Sequence, residues 1–208
     1  MKQILVIFVI LLLLFLVFQC ENKKKPTGPD LEDPNYYFPR NVDYKWTYVH
    51  LSGGCTVPGD SSAITAVNRS TRPEGSGLNL VSSEAPNDTG FVYQLGDSIF
   101  YIYKVEPNSH PYKILIRPIR GGTFWKDRPP HEFEYSVVGF EDFYSPVAGI
   151  TYRRCAKIKR TAEGDNTIKY YWWAPQFGKV RVADYDSGDS LYCEGEELKR
   201  LDKAPIVP

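Results

Sequence analysis

Gly188-Asp-Ser-Leu191 spells the block that surrounds the nucleophile of one class of serine esterases. A serine needs a histidine base to lose its proton, and no histidine follows His131. The block also falls at the end of the chain, whereas such a serine sits early in an α/β sequence, so Ser190 reads as a turn residue. Asp184, Asp186 and Asp189 put three carboxylates into six residues, which could gather oxygens around calcium. Glycine is fifth in that run rather than sixth, and Gly195 stands where a bidentate glutamate belongs. A solvated turn is the plainer reading of this weak calcium candidate.

His131 alternates with Glu132 and Glu134, so on a strand the imidazole and the acids diverge; His50 and His110 are isolated in sequence. No metal and no cofactor are expected. Trp125, Trp172 and Trp173 are candidate ligand contacts, because aromatic rings on a curved sheet can stack on sugar faces. Trp172 and Trp173 must point to opposite faces of a strand, which sends at least one into the core.

Four cysteines divide into one and three. Cys20 ends an apolar run from Ile4 to Phe18 that follows Met1-Lys2-Gln3, the layout of a secretory signal. Fifteen residues are fewer than the ~18–20 a spanning helix needs. Lys23, Lys24 and Lys25 come next, and beside a retained helix they would favour keeping that flank in the cytoplasm. Cleavage before Cys20 with lipidation of its thiol resolves both points, although Phe18 and Gln19 occupy positions where small residues are usual. An uncleaved helix and simple secretion are the alternatives. The expected address is the cell envelope, anchored through an N-terminal lipid, with no preference between inner and outer membranes. Export permits disulfides, so one bridge is expected among Cys55, Cys155 and Cys193, whose odd number leaves at least one thiol over.

Cleavage would leave 24 Lys plus Arg against 25 Asp plus Glu, a balance with no footprint for nucleic acid. The domains expected are a signal peptide over 1–19, a disordered polar tether over 20–35, one β-rich domain over 36–203 and a tail over 204–208. Alternation of large and polar residues marks strands near 44–50, 62–68, 78–83, 91–95, 98–105, 112–116, 132–140, 151–160, 167–173, 179–185 and 190–198. Gly96-Asp97 suits a two-residue hairpin turn with glycine first. Segment 98–105 is apolar on both faces, so the sheet must curl or be covered. The expected fold is all-β, an antiparallel meander forming a strongly curved sheet or partly open barrel with little helix. No internal repeat is evident, which argues against a propeller.

Three segments resemble an uncharacterised family of β-rich bacterial lipoproteins and secreted proteins. Tyr37-Phe-Pro-Arg-Asn-Val-Asp-Tyr-Lys-Trp-Thr-Tyr48 is similar to an opening Gly-x-x-Trp-x-Tyr strand, with Asp43 in the glycine's place. Ser145-Pro-Val-Ala-Gly-Ile-Thr-Tyr-Arg-Arg-Cys155 resembles a Val-Pro-Ala-Gly-Thr-Phe-x-x-Cys turn and strand, with the proline displaced by one. Tyr170-Tyr-Trp-Trp-Ala-Pro-Gln-Phe-Gly-Lys-Val-Arg181 is similar to Tyr-x-Ala-Pro-Gly-Val-Gly-x-Val-Lys, with Gln176 for the first glycine. The resemblance implies a fold and an address and brings no activity. Composition and resemblance together lead to a non-enzymatic envelope lipoprotein that binds a protein or glycan through its sheet. The alternatives are a carrier of a lipid or other hydrophobic ligand, and then a hydrolase without a sequence signature.

Overall fold

The computed structural model describes residues 30–38, 41–52, 57–105, 109–127, 132–162, 164, 167–186 and 189–202, with the side chains of 186–193 outside the description. The chain divides into two units, Met1–Asp30 and Leu31–Pro208, and every strand belongs to the second. Twelve strands stand among the described residues: β1 (Lys45–Ser52), β2 (Val57–Arg72), β3 (Gly75–Ser82), β4 (Thr89–Leu95), β5 (Ser98–Ile102), β6 (Tyr112–Ile116), β7 (Phe124–Lys126), β8 (Phe133–Ser145), β9 (Ile150–Ala162), β10 (Thr167–Ala174), β11 (Gly178–Asp186) and β12 (Asp189–Asp202). One four-residue helix, α1 (Pro34–Tyr37), precedes them. The all-β expectation is met.

All pairings are antiparallel and the sheet order is β6-β5-β4-β3-β2-β1-β12-β11-β10-β9-β8-β7. Two meanders therefore run outward from a central β1–β12 ladder, in which Trp46 faces Leu201 and Leu51 faces Gly195. The outermost strands, β6 and β7, share no ladder, yet their side chains meet. Trp125 Nε1 donates to the Lys113 carbonyl at 3.0 Å, and the Lys113 N–H donates to Asp127 Oδ1 at 2.9 Å. Tyr112 stacks on Phe133 beside them. An open edge is a row of unspent donors and acceptors, and here two side chains of the β7 segment satisfy one residue of the β6 edge. The result is a nearly closed barrel.

Local signals explain the turns. Gly96, at φ +57°, takes the first position of the two-residue loop between Leu95 and Ser98, as expected. The two positions where this chain replaces a glycine of the family pattern are also left-handed: Asp43 at φ +67° and Gln176 at φ +66°. A side chain there costs about 1–2 kcal/mol relative to glycine, less for aspartate, whose short polar group tolerates this region. Both are tied down. The Asp43 N–H donates to the Ala66 carbonyl and the Gln176 N–H to the Tyr36 carbonyl, each at 2.7 Å. Gly195 answers a different need, because a Cβ there would lie 2.1 Å from the Val182 carbonyl oxygen.

Three of the departures from the expected boundaries have a direct physical reason. β2 extends to Val57–Arg72 because it pairs on both sides, with β1 and with β3. β7, only Phe-Trp-Lys, is too short to show a period and is held by its ladder to β8. Residues 31–35, expected to belong to the disordered tether, join the folded unit. Asp33 caps α1 by accepting from the Asn35 N–H, the Glu32 carbonyl accepts from the Ile119 N–H at 3.0 Å, and Tyr37 is fully buried. The buried Tyr37 ring offsets the cost of ordering the short polar segment before it.

The interior is aromatic. Phe38 lies between Trp46 and Trp173, with ring centroids at 6.1 and 5.8 Å, and Tyr48 is buried with its hydroxyl donating to the Lys179 carbonyl. One continuous core draws buried residues from all twelve strands. The tip of the β8–β9 hairpin is latched onto β11 and β12. Glu197, fully buried, pairs with Arg181 at 3.2 Å and accepts from the Ser145 hydroxyl at 2.5 Å, while the Arg181 guanidinium lies 5.2 Å from the Phe143 ring centroid. Among the described residues no helix is long and apolar enough to cross a membrane.

Candidate functional site

β1, β12, β11 and β10 lie side by side, so a residue on one face of each falls into a row across the sheet. His50 sits opposite Glu196, Glu196 opposite Val182, and Val182 opposite Tyr171. One row further, Glu194 faces Asp184 and Asp184 faces Lys169. These two rows line a cleft of about 620 Å³, with Lys179 also on its wall. It lies toward the Ser52 end of β1. The opposite end carries the β10–β11 turn, where Gln176 meets Tyr36 of the entering chain.

The charges in the cleft are paired. Lys179 Nζ lies 3.1 Å from Glu196 Oε2, and Lys169 Nζ 2.8 Å from Asp184 Oδ2. His50 Nε2 lies 2.8 Å from Glu84 Oε1, and its Nδ1 is 4.0 Å from Glu196. The hydrogen bond to Glu84 raises the imidazole pKa above its ordinary value, against a smaller opposing effect of burial. The Lys179 ammonium holds the Glu196 carboxyl below the usual carboxylate range, and burial works against it. Burial pushes the Tyr171 hydroxyl up to about 12, against the opposing effect of Arg160, with which it shares a hydrogen bond. The cleft is thus a preset array of ammonium donors and carboxylate acceptors, with Leu51 and Val182 among its lining residues.

No family profile matches the chain, and no curated protein sequence is similar to it. Solved structures do share its fold. A candidate lipoprotein of Parabacteroides distasonis ATCC 8503 aligns over 80% of this chain and 98% of its own, at 15% identity and a TM-score of 0.51. A candidate exported protein of Bacteroides fragilis NCTC 9343, with a YmcC-like fold, covers 81% of this chain and 99% of its own at 15% identity and a TM-score of 0.44. The Parabacteroides protein and this chain share the β architecture, in keeping with the resemblance to β-rich lipoproteins and secreted proteins.

The residues singled out in the sequence are dispersed. None of the three tryptophans offers a sugar-stacking surface: Trp125, Trp172 and Trp173 are 4%, 6% and 5% exposed. Trp125 stacks on Tyr135 and pins the β6–β7 seam. Trp172 and Trp173 do face opposite ways, the first donating to Glu141 Oε1 at 2.6 Å and the second packing on Phe38. Asp184 is engaged by Lys169, and no group of metal-binding side chains occurs among the described residues. The side chains of Asp186, Asp189, Ser190 and Cys193 lie outside the described residues, as do Cys20, Cys55 and His131 entirely. Cys155 is a free, fully buried thiol, and burial pushes its pKa up to about 12.

The cleft residues His50, Lys169, Lys179 and Glu196 carry no common signal in the sequence. Each sits alone in its strand, and only the β1–β12–β11–β10 register assembles them.

Proposed function

We propose that the chain is a non-catalytic cell-envelope lipoprotein, cut before Cys20 and lipidated there, whose barrel binds a soluble or surface-bound envelope component in the charged cleft. The observation that carries the binding role is the pairing inside that cleft. Its lysines, Asp184, Glu196 and His50 are all engaged in ion pairs, which orients them as hydrogen-bonding groups. A carrier of acyl chains would call for a predominantly apolar cavity, and six of the twelve residues that line this one are charged or histidine. The short apolar segment, its terminal Cys20 and the three lysines after it support lipidation. The shared fold with a candidate lipoprotein agrees with that address.

Mass spectrometry of the native protein beside a Cys20→Ala control tests the anchor. The expected mature mass begins at Cys20 and includes glyceride and acyl groups, and the control remains unprocessed or unlipidated. A native mass that retains Met1, or lacks acyl groups, overturns the lipoprotein assignment.

A further inference from the structure

The lining of the cleft is dense in charge, yet its charges nearly cancel. Lys169 and Lys179 face Asp184, Glu194 and Glu196, and His50 adds a positive charge when protonated. An anionic ligand would meet three carboxylates, and a strongly cationic one would meet two ammonium groups at close quarters. An acyl chain would strip water from the ion pairs and return no hydrogen bonds. Those costs leave a ligand with no net charge and many hydroxyl groups.

Hydrogen-bonding capacity points the same way. An ammonium carries three donors and a carboxylate about four acceptor positions, and each ion pair spends only part of both. A vicinal diol can donate to a carboxylate and accept from the neighbouring ammonium at once, so it can bridge Lys169–Asp184 or Lys179–Glu196 without breaking either pair. Tyr171 lines the cleft two residues along β10 from Lys169 and in the same cross-strand row as Glu196. A volume of about 620 Å³ is in the range of small-ligand sites, which run from roughly 300 to 1,000 Å³.

We propose that this cleft is a binding site for a neutral, hydroxyl-rich ligand, a sugar unit or short oligosaccharide, held by the Lys169–Asp184 and Lys179–Glu196 pairs across Tyr171. The inference rests on the ligand-binding reading of the cleft and names its ligand class. It also moves sugar recognition away from the buried tryptophans to residues on four neighbouring strands.

The test uses the full chain in a detergent without a sugar headgroup. It is titrated calorimetrically with neutral trisaccharides of glucose, mannose, galactose and N-acetylglucosamine. A sulfated glycosaminoglycan fragment, trilysine and dodecanoate serve as charged and apolar probes. At least one neutral trisaccharide should bind and shift the backbone amide resonances of Lys169, Tyr171, Asp184 and Glu196. Asp184→Asn combined with Glu196→Gln should weaken that binding about tenfold or more, as the loss of charge-assisted hydrogen bonds requires. Lys169→Gln alone should weaken it as well, which keeps the test open if the double variant folds poorly. Binding of only the charged or apolar probes at these amides overturns the sugar assignment and leaves a binding cleft. Sugar binding that shifts other amides, or survives the variants, also overturns it. Silence from every probe overturns both the sugar assignment and the binding role.

Discussion

His50 Nε2 lies 2.8 Å from Glu84 Oε1, and that contact gives the cleft a pH dependence of definite sign. The folded-state pKa is raised, first by the Glu84 hydrogen bond, so the contact stabilises the fold in full below the unfolded value of about 6.5. That contribution fades as pH rises through the folded value. His50→Gln should therefore destabilise the protein more at about pH 5.5 than at about pH 8.5. The difference should be a fraction of a kcal/mol, about 0.2–1, because both partners are substantially exposed. Denaturant melts at the two pH values check this, and equal losses would show that the contact does not form. Glu196 has the opposite sign: its depressed pKa gives stability above the usual carboxylate range that is lost on acidification. Cys155, buried and raised to about 12, should resist iodoacetamide in the native protein and react only in denaturant, read by peptide mapping. At Gln176 the strain can be removed. Gln176→Gly should raise stability by about 0.5–1 kcal/mol, the left-handed penalty less the greater freedom that glycine gives the unfolded chain. A destabilised variant in the same melt would mean that the Gln176 side chain does more than tolerate its backbone.

The seam and the hairpin latch govern how the strands come together. Trp125→Phe keeps the ring stacked near Tyr135 and removes the donor to the Lys113 carbonyl, so the loss should be about 1–2 kcal/mol, with faster amide exchange along β6. Unchanged exchange at residues 112–116 would mean that the seam is held elsewhere. The latch is a buried ion pair, and its two halves are unequal when separated. Glu197→Leu strands Arg181, which is only 17% exposed, and should cost about 3–5 kcal/mol. Adding Arg181→Met should recover much of that loss. A double variant no better than the single would place the weight on the Ser145 hydroxyl and its bond to Glu197.

At the scale of the whole folded unit, the barrel has two unlike ends. Phe38, Trp46, Trp173 and the Tyr36–Gln176 bond pack together at the end where the chain enters, and the charged cleft lies toward the other. The all-β class, the antiparallel pairing and most strand positions were legible in sequence, because a two-residue period and Gly96 are local properties. The apolar run that ends at Cys20 is likewise a property of the sequence alone, since apolar length and flanking charge are local. Even Asp43 and Gln176, where the family resemblance places glycine, marked the backbone positions that became left-handed.

Register and closure depend on strands far apart in the chain. β1 and β12 meet across about 150 residues, and nothing local in either names the other. That pairing decides that Trp125 is a pin between edges and that Trp172 and Trp173 belong to packing on opposite faces. It also decides that Cys155 is sealed in the core and that lone residues from four strands share one cleft. Single side chains and short periods carry local conformation in the sequence itself. Which side chains converge is decided by long-range ladders, where a shift of one residue would turn every member of a row to the other face.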